Sequence, residues 1–268
     1  MAAQFFDRNP ASWQELEIMT ELAFTEMGYE SKRAHKLDTV RGSVEIDVYA
    51  VKRSTPIPTI VLCECKHWDK PVPQNIVHSF RSVCADSGAH FGLIISKMGF
   101  QRGAENSRSA TNVHLMDFSS FQTTFFDEWR SGVFMLLARM RDQLLPILRA
   151  ASGFTENGTD LIDASVLKGV DPFNKYSIFF GIDGGYSNYF VHREPFPAIF
   201  NDPRGDPRTI TKVTANSYRE YMDIATQALI EATTYFKLPN VYFDDNGILL
   251  EHQPTGQLSH DRPPKPFE

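Results

Sequence analysis

The sequence has few cysteines, no long apolar run and no excess of positive charge. Three cysteines among 268 residues cannot build a disulfide framework, so we interpret Cys63, Cys65 and Cys84 as reduced thiols of a cytoplasmic protein. No stretch of about 18 consecutive apolar residues occurs, which argues against a membrane partner. The first residues, Met-Ala-Ala-Gln-Phe-Phe-Asp-Arg, do not resemble a secretory signal. We therefore expect a cytoplasmic protein with no membrane association.

The charge balance argues against a dedicated nucleic-acid coat protein, which would usually be basic. The net charge is −6, and most of the acidity lies in residues 121–268, where 14 Lys and Arg face 19 Asp and Glu. An enzyme that holds nucleic acid through a local patch remains compatible with this balance. Apolar residues make up 42% of the chain, which is enough to bury a core.

Residues 1–120 show the alternation of helix and strand patterns that is typical of an α/β domain. We predict a first helix over 13–27, with Ser12 and Glu15 as a capping box and Trp13 in its apolar stripe. Strands are predicted over 43–51 and 60–66. Further predicted elements are a helix over 73–86, a strand over 91–96, a short helix near 103–109 and a strand over 113–116.

The rest of the chain is predicted as a helix, a linker and a second domain. Residues 121–160 comprise a long helix that leaves the core (121–150) and a linker rich in turn formers (151–160). Residues 161–268 are expected to form a smaller α+β domain of unknown role. Its predicted elements are hairpins over 176–192 and 241–250, a helix over 216–236 and a proline-rich tail after 254.

The residues that indicate chemistry lie on the two predicted strands. Side chains alternate faces along a strand, so Glu45 and Asp47 share one face of their strand, and Glu64 and Lys66 share one face of theirs. A symmetric loop over 52–59 would place Asp47 opposite Glu64 and Glu45 opposite Lys66, with Cβ atoms about 4.5–5.5 Å apart. Two carboxylates at that distance repel each other unless a divalent cation such as Mg²⁺ joins them. Lys66 would then orient or deprotonate a metal-bound water, or stabilise charge on a phosphate.

These residues resemble a known signature. Asp47 followed by Glu64-Cys65-Lys66 is similar to the PD-(D/E)XK nuclease pattern of an acid on one strand and acid-X-lysine on the next. Glu17 before Met27-Gly28-Tyr29, and the segments 66–72, 88–96 and 99–104, resemble the Mrr-like branch of restriction endonucleases. The resemblance covers about residues 13–118. It implies a restriction-endonuclease-like α/β core, a mixed central sheet flanked by helices, over 1–120.

The resemblance also implies roles for individual residues in metal-dependent hydrolysis of phosphodiester bonds. Asp47 and Glu64 would be metal ligands, and the backbone carbonyl of Cys65 would be a further ligand. Lys66 would be the catalytic lysine. Glu17 would be the helix acid that completes or supports the metal site. The cofactor implied is Mg²⁺, with Mn²⁺ as a substitute.

Each of these residues also has a purely structural interpretation. Glu45 and Asp47 alone would be the solvated face of an edge strand, and Glu64 with Lys66 alone would be a surface ion pair of little energetic weight. Glu45 competes with Asp47 for the ligand role, because no proline precedes the aspartate. The alternative for Glu17 is that it is an ordinary glutamate on the surface of the helix.

Four further residues are candidates for contacts with nucleic acid. Gln74 lies in the predicted helix after the lysine. The alternative is a purely structural role in the first turn of that helix. Ser96 and Lys97 end a strand, and an ordinary turn is the alternative there. Arg102 is a candidate for gripping the phosphate backbone.

The sequence as a whole predicts a Mg²⁺-dependent endonuclease that hydrolyses DNA, in restriction or anti-phage defence. The alternatives are a catalytically silent nuclease-fold module for DNA binding or regulation, and a nuclease acting on RNA. Cutting two strands requires two sites, so we expect a homodimer. The C-terminal domain is expected to bind a partner protein or a signal.

Overall fold

A five-stranded mixed sheet organises the part of the chain that this computed structural model describes, residues 4–53, 56–106, 111–151, 196–202, 204 and 211–235. The strands, in both spatial and chain order, are β1 (Glu30–Thr39), β2 (Gly42–Lys52), β3 (Thr59–Lys66), β4 (Phe91–Ser96) and β5 (Val113–Asp117). β1, β2 and β3 pair antiparallel, whereas β3, β4 and β5 pair parallel. The helices are α1 (Trp13–Glu26), α2 (Gln74–Asp86), α3 (Arg102–Glu105), α4 (Phe118–Ala151) and α5 (Tyr218–Tyr235). This mixed sheet with its helices confirms the predicted fold class of the core.

The strands and helices predicted over 13–116 are all present, but β1 was missed. Five of its ten residues are charged, and it has no apolar alternation that would mark it as a strand. It lies at the edge of the sheet, where charged side chains are usual because they discourage pairing with other chains.

The start of α1 agrees with only half of the predicted capping box. The Ser12 hydroxyl accepts a hydrogen bond from the Glu15 backbone N–H (3.1 Å), as predicted. The Glu15 carboxylate, however, accepts from the Ala11 N–H (2.6 Å) and pairs with Arg8. Trp13 was wrongly placed in the apolar stripe, because its side chain is 55% exposed.

The side chains of β2 stop alternating regularly between the two faces of the sheet at Asp47. The sequence places Ile46 and Val48 on one face, yet Ile46 packs in the hydrophobic cluster of α2 and Val48 packs in the cluster of α1 and α4. On the neighbouring strand, Ala34 lies between the partners of these two residues and has a φ of 48°. A positive φ is uncommon for a residue with a Cβ, and it marks a local distortion of the ladder. The expectation of simple alternation along β2 was therefore wrong at this point.

The long helix α4 does not leave the core at its start, which corrects the sequence-based expectation. Phe121, Trp129 and Val133 are fully buried in the cluster formed with α1, β2, β3 and β4. At Gly132 the helix passes so close to α1 that a Cβ would lie 2.6 Å from the Met27 Cα and closer still to the Glu26 carbonyl oxygen. No helix of the described ranges combines the length and hydropathy needed to span a membrane.

A buried ion pair connects α5 to this core. Arg219 donates two hydrogen bonds of 2.8 Å to the Glu26 carboxylate, which is 4% exposed and also accepts from the Trp129 indole N–H (2.6 Å). The Arg219 Nε donates to the Phe5 carbonyl oxygen (2.9 Å), and its guanidinium lies 4.5 Å from the centre of the Phe6 ring. Every hydrogen-bonding atom of the Glu26 carboxylate is thus satisfied inside the core.

The C-terminal elements agree in part with the sequence-based expectations. α5 confirms the helix predicted over 216–236, whereas the hairpin of β6 (Ala198–Asn201) and β7 (Lys212–Ala215) was not predicted. The predicted linker from residue 152 onward, the hairpins over 176–192 and 241–250 and the tail after 254 lie outside the described residues. The division into 1–120, 121–160 and 161–268 remains a prediction.

We expect Gly132→Ala to destabilise the protein. Alanine is the better helix former by about 1 kcal/mol, but the added methyl group would collide with the backbone of α1, and overpacking of this kind costs about 1–3 kcal/mol. Urea unfolding measures the change. Ser131→Ala, at the exposed neighbouring position, is the control and should change the free energy of unfolding by less than about 0.5 kcal/mol. Stabilisation by Gly132→Ala would contradict the close helix crossing.

We expect Arg219→Met to destabilise the protein by about 3–5 kcal/mol, because it leaves the Glu26 carboxylate buried without its cation. Arg53→Met is the matched control. It breaks the exposed pair of Arg53 with Glu30 (2.9 Å), which should contribute at most about 1 kcal/mol. Thermal or urea unfolding of the whole chain compares the two variants. Equal, small effects would show that α5 is not held by this pair.

Candidate active site

Three charged side chains meet where β2 and β3 separate. Lys66 Nζ forms an ion pair with Glu64 Oε1 and lies 3.7 Å from Asp47 Oδ2. The three side chains are only 14% (Lys66), 22% (Glu64) and 27% (Asp47) exposed. The acid, acid and lysine of the predicted signature therefore converge in one half-buried site.

Asp47 is connected to β3 by a hydrogen bond of its side chain and not by backbone pairing. The predicted register, in which residue i faces residue 111 − i, holds from Lys52↔Thr59 to Val48↔Cys63, and the ladder ends there. One step further on, Asp47 Oδ2 accepts a hydrogen bond from the Cys65 backbone N–H (2.7 Å). The prediction that Asp47 and Glu64 form a directly opposed ladder pair was therefore wrong, although the two residues do come together through Lys66.

This hydrogen bond leaves part of the Asp47 carboxylate available. Among the described residues, no side chain or backbone group hydrogen-bonds to Asp47 Oδ1. The Cys65 side chain points the other way, since its thiol is buried 3.9 Å from the Thr20 hydroxyl. Asp47 is thus fixed by one oxygen and presents the other.

The electrostatic balance of the site is negative. Burial raises the pKa of Glu64 above its ordinary value, and the charge of Asp47 raises it further, while Lys66 acts in the opposite direction. Burial would lower the pKa of Lys66, but Glu64 and Asp47 raise it above its ordinary value. One ammonium thus compensates two carboxylates.

Glu17 lies beside this group without touching it. Burial against the sheet raises the pKa of Glu17, and the charge of Asp47 adds to the rise, while Arg33 and Lys66 lower it. Glu17 is therefore within electrostatic reach of Asp47 and Lys66, as a helix acid that supports the site would be.

Glu45, the competitor for the ligand role, is not paired with Lys66. It is exposed, and its ladder partner is Lys36 on β1. The predicted pairing of Glu45 with Lys66 was wrong, because the β2–β3 ladder ends before it reaches Glu45.

The site offers a hard divalent cation two carboxylates, from Asp47 and Glu64. The described residues contain no cluster of three or more His, Cys, Asp and Glu side chains in a metal-binding arrangement. Asp47 and Glu64 provide two carboxylates, and Mg²⁺ is commonly held by one or two carboxylates together with waters and phosphate oxygens. The further protein ligand that the family resemblance implies is the backbone carbonyl of Cys65.

The candidates for nucleic-acid contact fall into two groups. Gln74 and Arg102 are exposed, at the starts of α2 and α3. Lys97 is 41% exposed and pairs with Asp69 (2.7 Å), which is itself 91% exposed. These three side chains lie at the surface beyond the carboxyl ends of β3 and β4.

Ser96 is placed differently. It is 1% exposed, and its hydroxyl donates to the Gly99 carbonyl oxygen (2.9 Å). The structure therefore assigns Ser96 to the turn after β4, which agrees with the alternative of an ordinary strand-end turn.

Two features beside the site were not predicted. The Trp68 ring lies 5.6 Å from Lys66 Nζ, and the only sequence signal for this contact is its position two residues after the lysine. A cavity of about 290 Å³ lies at the carboxyl ends of the parallel strands, and it gave no sequence signal because its walls come from distant segments. Its walls include Asn9, Pro10, His67, Ser96, Lys97 and Asp117.

Comparison with known proteins identifies the segment that contains the site. Residues 9–125 match the family model Mrr_cat, which is described as a restriction endonuclease. This match confirms the resemblance to the Mrr-like branch for that segment. No curated protein matches the chain.

Two solved structures are similar to part of the chain. The first is a protein of unknown function, AF1548, with 19% identity and a TM-score of 0.35; the match covers 40% of this chain and 59% of that one. The second is the restriction endonuclease MspJI in complex with a 27-mer oligonucleotide, with 17% identity and a TM-score of 0.31. That match covers 43% of this chain and 28% of MspJI. The chain therefore spans less than two thirds of the length of either.

We expect Lys66→Met to lower stability in EDTA, because it leaves the Asp47 and Glu64 carboxylates without the ammonium between them. The expected loss is about 1–2 kcal/mol, within the cost of leaving a half-buried polar group uncompensated. Mg²⁺ should then raise the melting temperature of the variant more than that of the natural protein. Lys70→Met is the control, because Lys70 contacts the Trp68 ring but neither carboxylate. An equal response of all three proteins to Mg²⁺ would contradict this interpretation of the site.

Proposed function

We propose, from the restriction endonuclease domain carried by residues 9–125, that the protein hydrolyses phosphodiester bonds in DNA with Mg²⁺, or Mn²⁺, as cofactor. The observation that carries this proposal is the meeting of Asp47, Glu64 and Lys66 in one half-buried site. Burying two carboxylates around a single ammonium has an electrostatic cost, and a divalent cation would offset it.

The residues divide the work by their chemistry. Asp47, Glu64 and the Cys65 carbonyl would hold the cation, and Glu17 would support it from α1. A bound divalent cation supplies Lewis acidity, which lowers the pKa of a coordinated water and neutralises a phosphate. Lys66 offers an ammonium for the negative charge that develops on the phosphate during hydrolysis.

Contacts with the substrate would come from the surface around the site. Gln74, Lys97 and Arg102 are exposed near the carboxyl ends of β3 and β4, where cationic and amide groups can bind the phosphate backbone without reading sequence. Double-strand cleavage would require two such sites, and a homodimer supplies them. The setting that best fits a restriction-type nuclease is restriction or anti-phage defence in the cytoplasm. Residues 161–268 would then receive a partner protein or a signal.

We expect the purified protein to cut plasmid DNA with Mg²⁺ and not with EDTA. Asp47→Asn and Lys66→Met should each reduce the rate at least about 100-fold, the usual cost of removing one group that stabilises the transition state. Glu17→Gln should have a smaller effect. Asp38→Asn is the matched control, because this aspartate is exposed on β1 and its ladder partner is Ser43, away from the site. Gel electrophoresis of supercoiled, nicked and linear plasmid measures all five proteins.

Other outcomes assign other functions. Cleavage that survives Asp47→Asn would show that the assigned site is wrong. Cleavage of RNA but not DNA, with the same dependence on Asp47, would make the protein a ribonuclease. DNA binding without cleavage and without Mg²⁺ binding would indicate a catalytically silent module.

A further inference from the structure

The Lys66 ammonium lies near two groups that attract a cation, the pair of carboxylates and the Trp68 ring. The Lys66 ammonium pairs with Glu64 and approaches Asp47 at 3.7 Å. The same ammonium lies 5.6 Å from the centre of the Trp68 ring. A cation within about 6 Å of an indole face is attracted by the ring quadrupole.

The Lys66 ammonium and a bound metal ion would compete for the same two carboxylates. The ammonium pairs with Glu64 Oε1 and lies 3.7 Å from Asp47 Oδ2, the oxygen that also accepts the Cys65 N–H. A divalent cation and an ammonium at such short range repel each other strongly in a half-buried site. A divalent cation on these carboxylates would therefore favour withdrawal of the Lys66 ammonium from them.

Trp68 offers a place for the displaced ammonium. Lysine has a flexible four-carbon stem, and rotation about its bonds would bring the ammonium closer to the indole than its present 5.6 Å. The Lys70 ammonium lies 5.9 Å from the centre of the same ring. Asp69, between the two, is directed to Lys97 and does not compete for Lys66.

We propose that Trp68 is a positioning residue that receives the Lys66 ammonium when a divalent cation binds Asp47 and Glu64. The inference rests on the proposed metal-dependent function. Trp68 keeps Lys66 at the edge of the site and reduces its repulsion with the metal. The competing interpretation is that Trp68 only packs in the loop between β3 and α2.

Calorimetric titration of the full chain with Mg²⁺ tests the coupling between Trp68 and Lys66. Lys66→Met should bind Mg²⁺ more tightly than the natural protein, because the competing ammonium is gone. Trp68→Leu should weaken Mg²⁺ binding about two- to fivefold, the range expected for one exposed cation–π contact, and Trp68→Phe should weaken it less. In the Lys66→Met background, Trp68→Leu should have no effect on Mg²⁺ affinity.

Tryptophan emission gives an independent measurement. The chain has three tryptophans: Trp13, which is exposed, Trp129, which is buried, and Trp68. Mg²⁺ should change the emission of the natural protein and of Trp13→Phe, because the ammonium moves onto Trp68 in both. The change should be absent from Trp68→Phe and from Lys66→Met.

The outcomes separate this inference from the proposed function. Equal weakening of Mg²⁺ binding by Trp68→Leu in both backgrounds, or none in either, would overturn the role of Trp68 and leave the metal site intact. Mg²⁺ binding that is unaffected by Asp47→Asn would overturn the proposed metal site and this inference with it.

Discussion

The repulsion between Asp47 and Glu64 is the constraint on which the rest of the site depends. Both carboxylates are half-buried, so water screens them poorly, and the chain supplies one ammonium from Lys66 to hold them together. That arrangement is stable enough to fold but leaves one negative charge in excess. Under the proposed function, a bound divalent cation would neutralise that excess charge.

The surrounding fold supports this imbalance by fixing the backbone. Asp47 lies where the β2–β3 ladder has ended and opposite the distorted Ala34 of β1, so its carboxylate is free to accept the Cys65 N–H. Glu64 and Lys66, in contrast, lie on β3, which is paired with β4 through Lys66↔Ser96. One acid is thus placed by a break in the sheet and the other by the regular sheet.

The convergence of Asp47, Glu64 and Lys66 could be predicted from the sequence because it depends on short spacings along strands. Glu64, Cys65 and Lys66 alternate within one strand, and the hairpin register that brings Asp47 toward them follows from the loop length. The features that sequence reasoning missed depend on contacts between distant segments. β1 has a charged sequence and becomes a strand because β2 offers it an edge. The face change between Ile46 and Val48 depends on Ala34, twelve residues earlier in the chain. The burial of α4 depends on Gly132 and α1, which no local pattern in either segment indicates.

The ion pair of Glu26 and Arg219 has a practical consequence for anyone who wants to isolate the segment that matches the family. The family match ends at residue 125, yet Trp129 and Arg219, which satisfy the Glu26 carboxylate, lie beyond it, and Phe5 lies before its start. A fragment cut at the family boundaries would keep a carboxylate in the core of α1 and discard its donors. It would also lay bare the apolar surface that Phe121 shares with the removed part of α4. Domain dissection of this protein should therefore retain the segments that complete the core, whatever the limits of sequence similarity.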